Sequence, residues 1–250
     1  MTTPTPQGLT FDRAAARYAA NRPSYPPELL DAIEESTGRP LRGARVADVG
    51  AGTGLGTGLL HGRGAHVVAV EPGPGMAREF RRRLPDVPLV LGDGNRLPLA
   101  TGSLDLLTYA QAWHWTDPER SVPEARRVLR SGGALALWWN DSDDTVPWIA
   151  EQTARLIHLF GKSGGTGPDP QARFRRLPAG VHFATRQVYW SRHVPLDGHL
   201  ANLSSFSDFL VLGEERTAAF LAAERALLAE VFPSGTVEER YVVSLAVARP

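Results

Sequence analysis

The chain has 250 residues, 27 basic and 27 acidic, with 42% hydrophobic and 22% charged residues and a formal net charge of zero. This composition excludes a disordered chain, and with no net charge there is no field to gather phosphate backbones, so nucleic acid is not an expected partner. Cysteine is absent, which excludes disulfides, Cys-ligated zinc, iron–sulfur clusters and a thiol nucleophile.

The opening MTTPTPQGLT has neither a basic nor an apolar region of the kind a signal peptide needs, and no apolar run approaches membrane-spanning length. A cytoplasmic bacterial protein with no membrane contact is the expectation. Periodicity predicts a first amphipathic helix over Phe11–Ala20, then the Pro-rich stretch Arg22 to Pro27, then a helix from Glu28 to about Thr37. Short apolar runs follow at Arg45–Val49, His66–Val70, Pro88–Leu91, Leu104–Tyr109 and Ala134–Trp139, with helix-compatible stretches at Leu55–His61, Pro74–Leu84 and Pro118–Leu129 between them. Strand–helix alternation at this spacing predicts an α/β fold with a parallel sheet and helices on both faces. The near-continuous apolar strands are those of a sheet covered on both sides.

After Trp139 the pattern changes. Val146–Phe160 reads as a long helix, Gly161–Asp169 as a Gly-rich loop and His182–Val194 as a strand. Two helical stretches follow, roughly Leu200–Leu212 and Glu214–Val231, and Val237–Ala248 reads as a buried terminal strand. The count is seven strands, in two regions: an N-terminal helical cover over 1–40 and a main domain over 41–250 that includes a cap-like insertion at about 141–181.

The strongest site signal is Asp48-Val49-Gly50-Ala51-Gly52-Thr53-Gly54, a strand entering a Gly-x-Gly-x-Gly turn before a helix. Glycines at alternate positions let a ligand lie against bare backbone and let the chain take positive φ. Glu71 ends the next strand about 20 positions after the first glycine; one carboxylate can accept both hydroxyls of a ribose diol. A dinucleotide fingerprint needs a third glycine where Leu55, Thr57 or Leu59 stands, which disfavours NAD. Gly161-Lys162-Ser163 lacks the upstream glycine of a phosphate-binding loop, that place being Leu156. A cofactor without phosphate suits the loop.

These residues resemble those of the class I S-adenosylmethionine-dependent methyltransferases, in particular the methyltransferase type 11 or trans-aconitate-methyltransferase-like group. The resemblance is carried by Asp48–Gly54, Val70-Glu71-Pro72, Leu91-Gly92-Asp93-Gly94, Leu104-Asp105-Leu106-Leu107 and Gln111-Ala112-Trp113-His114-Trp115. Phe11-Asp12-Arg13 to Tyr18 and Arg22-Pro23-Ser24-Tyr25-Pro26 add to it, so that it covers about the first 140 residues. It implies a Rossmann-like seven-stranded, mostly parallel sheet. It also implies S-adenosyl-L-methionine as cofactor, with S-adenosyl-L-homocysteine as product.

Its implied roles place Gly50, Gly52 and Gly54 under the methionine part, Glu71 at the ribose, Met76 against the adenine and Asp93 at the adenine amino group. Gln111 falls near the sulfonium and Tyr18 closes from the N-terminal helix. Asp48 either caps the turn or orients the cofactor ammonium; Met76 as core and Asp93 as a plain turn residue stay open.

On the acceptor side, His114 is the candidate catalytic base, or else a pocket wall. Tyr25, Trp115, Trp139 and Trp148 are the candidate substrate-binding aromatics, and Arg13, Arg17 and Arg22 could neutralise an acceptor carboxylate. The scattered histidines predict no metal site. The expected activity is O- or N-methylation of a small molecule, in specialised metabolism. A methyltransferase-fold protein that binds the cofactor without transfer, and an NAD-linked oxidoreductase, are the alternatives. The acceptor and the oligomeric state are not legible.

Overall fold

The computed structural model describes residues 22–161 and 173–250. The expected helix over Phe11–Ala20, with Arg13, Arg17 and Tyr18, lies outside the described residues, as does the Gly-rich loop beyond Gly161.

Seven strands form one sheet: β1 (Arg45–Val49), β2 (His66–Glu71), β3 (Leu89–Leu91), β4 (Leu104–Ala110), β5 (Leu129–Ser142), β6 (Phe183–Pro195) and β7 (Thr236–Ala248), in the order β3-β2-β1-β4-β5-β7-β6. β1 to β5 are mutually parallel, and β7 enters antiparallel between β5 and β6. The strand order reverses between β1 and β4. At such a switch point the loops leaving two neighbouring strands diverge to opposite faces and open a crevice at the carboxyl edge.

The helices are α1 (Pro27–Thr37), α2 (Leu55–Gly62), α3 (Pro74–Arg83), α4 (Pro118–Val128), α5 (Pro147–Phe160), α6 (Leu196–Leu203), α7 (Ser207–Leu212) and α8 (Glu214–Val231). Alternation within the strands splits the core. On one face, Leu29, Leu30 and Ile33 of α1, Leu60 of α2 and Phe80 of α3 pack with Val46, Leu106, Ala136, Trp138, Val243 and Leu245. On the other, Val122, Ala125 and Val128 of α4 pack with Ala47, Val49, Leu107, Leu135, Leu137 and Trp139. The helix expected within the N-terminal cover is therefore a layer of the main core. Pro27 opens it at a position where an N–H has no partner to lose, and Gly38, at φ 63°, closes it in the left-handed conformation.

Strand and helix positions agree with the periodicity to within a few residues, with two differences. β5 begins at Leu129, five residues before the apolar run, because Leu104 pairs with Leu129 before the register shifts at a bulge and resumes at Leu106–Ala134. The helix expected over Leu200–Leu212 is two helices: α6 starts directly after Pro195, which ends β6, and the chain turns at Ser204–Phe206 before α7.

Within the sheet, Thr236–Arg240 of β7 pair only with Ser191–Pro195 of β6, so this strand pair extends past the end of β5 at the sheet's carboxyl edge. Leu196, Leu200, Leu228 and Val237 form a separate small core there, with Trp148 and Phe232 packed against it. A chain of buried polar groups accompanies it: Glu239 with His199 (2.7 Å), His199 with Gln152 (3.2 Å), and Gln152 donating to Glu224 (2.9 Å).

Candidate active site

The glycine loop leaves β1 at the switch point. The amides of Gly50 and Ala51 both donate to the carbonyl of Val70, at 2.8 and 3.2 Å, which pins the turn to the end of β2. Gly50, Gly52 and Gly54 have φ values of 68°, 57° and 91°, in the region that L side chains rarely adopt. A Cβ on Gly50 would lie 2.5 Å from Cβ of Ala112, whereas one on Gly52 would meet no atom within 4 Å. Gly50 is thus glycine for packing, and Gly52 presents bare backbone to open space where a ligand can lie against it.

Glu71 faces that space from the end of β2. Its Oε2 accepts from the Gly52 amide at 2.7 Å and its Oε1 from the Gly73 amide at 2.8 Å, in a side chain that is almost fully buried. A carboxylate has about four lone-pair sites, and two of its bonds here are to backbone donors of the glycine loop and of the start of α3. The burial cost of this charge, the sequence signal for a ligand, is met in part by the protein's own backbone.

Asp48 is wholly buried beneath the loop. Thr57 of α2 donates to its Oδ2 at 2.6 Å and Thr108 of β4 to its Oδ1 at 2.8 Å. Burial pushes its carboxyl up to about 6, with the threonine hydroxyls opposing. It joins β1, β4 and α2 at the switch point, and any effect on a cofactor ammonium acts through the loop above it. The two threonines were missed in the sequence; Thr108 inside the apolar β4, level with Asp48 in the register, was the signal.

Met76 is buried in the first turn of α3. Asp93 is half-buried after β3, and its Oδ1 accepts from the Asn95 amide at 2.5 Å. Gln111, at the carboxyl end of β4, has φ 58°, the only positive φ at a non-glycine among the described residues. Its amide nitrogen donates to the Trp138 carbonyl at 2.8 Å and its Nε2 to the Asn140 carbonyl at 3.1 Å. Strained backbone held by two hydrogen bonds is characteristic of positions where a side chain must point one way.

The acceptor-side candidates do not all converge. His114 lies exposed on a short 3-10 turn, its ring 4.6 Å from that of the exposed Trp115. Trp113 is turned into the core against Tyr109, so the histidine touches one flanking indole, not two. Tyr25 is buried edge-on against Trp138, with ring centroids 5.8 Å apart. Trp139 is buried on the opposite face of the sheet under Arg173, which ion-pairs with Asp141. Trp148 packs on His199 and Phe232, in the small core beyond β5. Arg22 stacks over Phe206, 4.4 Å from its centroid.

Residues missed in the sequence lie instead on the face of Tyr25 and Trp138. Trp190 of β6 donates its indole N–H to Asn140 Oδ1 at 3.0 Å and stacks on Tyr241 at 5.0 Å. Asn140 therefore touches Gln111 through its carbonyl and Trp190 through its side chain. Only cross-strand pairing, distant in sequence, brings these together.

A doubly wound sheet with this strand order, a Gly-x-Gly-x-Gly loop at the switch point and a fixed carboxylate at the end of β2 define a protein that binds an adenosine-containing cofactor. A family model described as a methyltransferase domain matches residues 47–137. An uncharacterized methyltransferase of Mycobacterium tuberculosis is 41% identical over 187 residues, 74% of this chain and 72% of that one. A methyltransferase-like protein of Schizosaccharomyces pombe is 34% identical over 154 residues, 61% of this chain and 59% of its own. Among solved structures, a protein described as a type II methyltransferase from Anaeromyxobacter dehalogenans has the same fold, with a TM-score of 0.68 at 23% identity over 91% of this chain and 96% of that one. The chain belongs to the class I S-adenosylmethionine-dependent methyltransferases and is an enzyme of that class. Its cofactor is S-adenosylmethionine, and the open backbone at Gly52 and the carboxylate of Glu71 bonded to it suit that molecule. Among the described residues no helix is long and apolar enough to cross a membrane, and no group of three or more His, Asp or Glu could hold a metal ion.

Proposed function

We propose that this chain transfers the methyl group of S-adenosylmethionine to an oxygen or nitrogen of a small molecule in the cytoplasm. The observation that carries this reading is the group beside Gln111, namely Asn140, Trp190 and Tyr241, on the sheet face where Tyr25 packs on Trp138. Such a group, aromatic and polar, suits a compact acceptor better than a polymer, and the zero net charge favours no polyanion.

The sulfonium supplies an already activated methyl group, so the residues of the chain have chiefly to hold the nucleophile in line, a contribution that positioning alone can make large. Gln111 is oriented for that by its backbone and by Asn140. His114 would take the proton of a hydroxyl or amine, and a carboxylate acceptor, already ionised, would need no base. Relatives that match a smaller share of the chain bear names with different acceptors. They are a demethylmenaquinone methyltransferase of Beutenbergia cavernae, 38% identical over 107 residues, and a malonyl-[acyl-carrier protein] O-methyltransferase of Methylococcus capsulatus, 38% identical over 138. This variety fits a shared cofactor half and an acceptor side specific to each protein.

The test is calorimetric titration with S-adenosylhomocysteine, then S-adenosylmethionine turnover against a panel of hydroxylated, amino and carboxylated small molecules. Transfer to any of them, weakened in His114→Ala for hydroxyl and amine acceptors, supports the reading. Tight binding of the product with transfer only to a macromolecule overturns it.

A further inference from the structure

The polar surface that begins at Gln111 does not stop at Trp190. Tyr241, stacked under Trp190, receives the side-chain amide of Asn202 on its hydroxyl oxygen at 3.2 Å, and the same amide nitrogen reaches Glu239 Oε1 at 3.4 Å. Contacts are continuous from Gln111 through the backbone carbonyl and side chain of Asn140, then Trp190 and Tyr241, to Asn202 on α6.

Two observations single out Asn202. It is 5% exposed, and its Oδ1 has no hydrogen-bond partner among the described residues. Its orientation is also determined. Glu239 presents only acceptor oxygens, so the end of the amide facing it must be the NH2 group, and what is left over is the carbonyl oxygen. The Tyr241 hydroxyl is itself committed to Glu239 Oε2 at 2.7 Å, so it accepts from Asn202 and cannot donate to it. Glu239 is fixed in turn by Arg192 at 2.6 Å and His199 at 2.7 Å. The network satisfies the other groups around Asn202 and holds one buried acceptor unused. Buried acceptors are rarely left unpaired, because the water they give up is not replaced.

We propose that Asn202 Oδ1 is the distal hydrogen-bond acceptor of the methyl-acceptor subsite. The molecule it takes has a planar apolar body that lies against the half-buried Trp190, and a hydroxyl or amine that donates to Asn202. The second donor-bearing or carboxylate group, the one that receives methyl, lies at the Gln111 end. Arg22 lies over Phe206, just past α6, and Tyr25 packs on Trp138. The subsite rests on the methyl-transfer reading for its meaning, and its binding chemistry is testable separately.

The experiment uses the full chain saturated with S-adenosylhomocysteine and three single-ring probes, phenol, aniline and fluorobenzene, with dissociation constants from ligand-observed NMR in wild type and Asn202→Leu. Phenol and aniline are expected to bind at least about fivefold more tightly than fluorobenzene to the wild type, and to lose that preference in the variant, whose S-adenosylhomocysteine affinity stays within about twofold of the wild type. Should Asn202→Leu not fold, Asn202→Ser, which places no oxygen where Oδ1 lies, carries the same expectation. No preference for the donor-bearing probes in wild type, or a preference unchanged in the folded variant, overturns the subsite. Failure of the wild type to bind S-adenosylhomocysteine overturns the methyl-transfer reading instead, so the two failures are distinguishable.

Discussion

Glu71 Oε2 accepts from the backbone N–H of Gly52 at 2.7 Å, so the acid suited to the ribose diol is also the group that shapes the glycine loop. Its other oxygen accepts from Gly73 at 2.8 Å, which ties the loop to the start of α3. Both bonds require an acceptor. Glu71→Gln, though nearly isosteric, must set its NH2 against one of the two backbone donors or turn away. Calorimetry with S-adenosylhomocysteine is expected to show Glu71→Gln weakened almost as much as Glu71→Ala. Both losses should be about tenfold or more, since hydrogen bonds to a charged group contribute about 1.5–3 kcal/mol each. A Gln variant with wild-type affinity would remove the carboxylate from the cofactor site.

Gly50 and Gly52 share positive φ but differ in surroundings, and their alanine variants should fail differently. Gly50→Ala drives a Cβ to 2.5 Å from Ala112 and is expected to lower folding stability by at least about 2 kcal/mol, in the range of overpacking plus backbone strain. Gly52→Ala meets no protein atom; only the strain cost of about 1 kcal/mol falls on folding, while S-adenosylhomocysteine affinity drops at least about tenfold. Denaturant melts and calorimetry on the pair separate the two effects.

Burial raises the Asp48 carboxyl from 3.8 to about 6. The folded chain then holds this proton more firmly than the unfolded chain does, so the contribution to stability falls as pH rises from about 4 to about 6, by about 3 kcal/mol at most. Asp48→Asn removes the charge and can keep both hydrogen bonds, because Thr108 Oγ1 also lies 3.3 Å from the Ala47 carbonyl and can donate there while accepting from the new amide. Thermal unfolding at pH 5 and 7.5 should show the variant stabilised relative to wild type mainly at the higher pH. Equal effects at both values would count against a buried, titrating Asp48.

Glu239 titrates in the opposite sense. Burial alone would raise its carboxyl, but hydrogen bonds from His199, Arg192 and Tyr241 hold it down to about 2. Its stabilisation is present above about pH 4.5 and lost as pH falls toward 2. Glu239→Gln leaves Arg192 and His199 without their carboxylate, and a loss of about 3 kcal/mol at pH 7 is expected, as for other buried charge networks that lose one partner. The loss should shrink in acid, which urea titrations at pH 7 and pH 3 would measure.

Gln111 offers a test of backbone strain apart from chemistry. Gln111→Gly relieves φ 58° and is expected to leave stability unchanged or raise it by about 1 kcal/mol, although the Asn140 contact goes. Gln111→Val, β-branched in the same conformation, should cost about 1–3 kcal/mol. A destabilised Gly variant would mean that the Asn140 hydrogen bond outweighs the strain.

How much of this was legible in the chain follows from the range of the forces involved. Period-two and period-3.6 apolar patterning is local, and it located β1 to β4, α1 to α5 and the terminal strand within a few residues. The placement of Asp48, the three glycines and Glu71 at the switch point was legible because a loop and the next strand end are close in sequence. Pairing across the sheet was not legible, because the free energy that brings Asn140, Trp190 and Tyr241 together comes from burying strands separated by whole helices. The same holds for Asp48 with Thr57 and Thr108. It holds also for the aromatic residues. Sequence placed Trp139 and Trp148 near the crevice by their order along the chain, whereas the pleat sends Trp139 to the α4 face and the extended β6–β7 pair, with α6 and α8, gathers Trp148 into a separate small core. The amino-acid sequence by itself determined the fold class and the cofactor loop, through local periodicity and backbone freedom. Which side chains share a face of the sheet was decided only when strand register set that face against its helices.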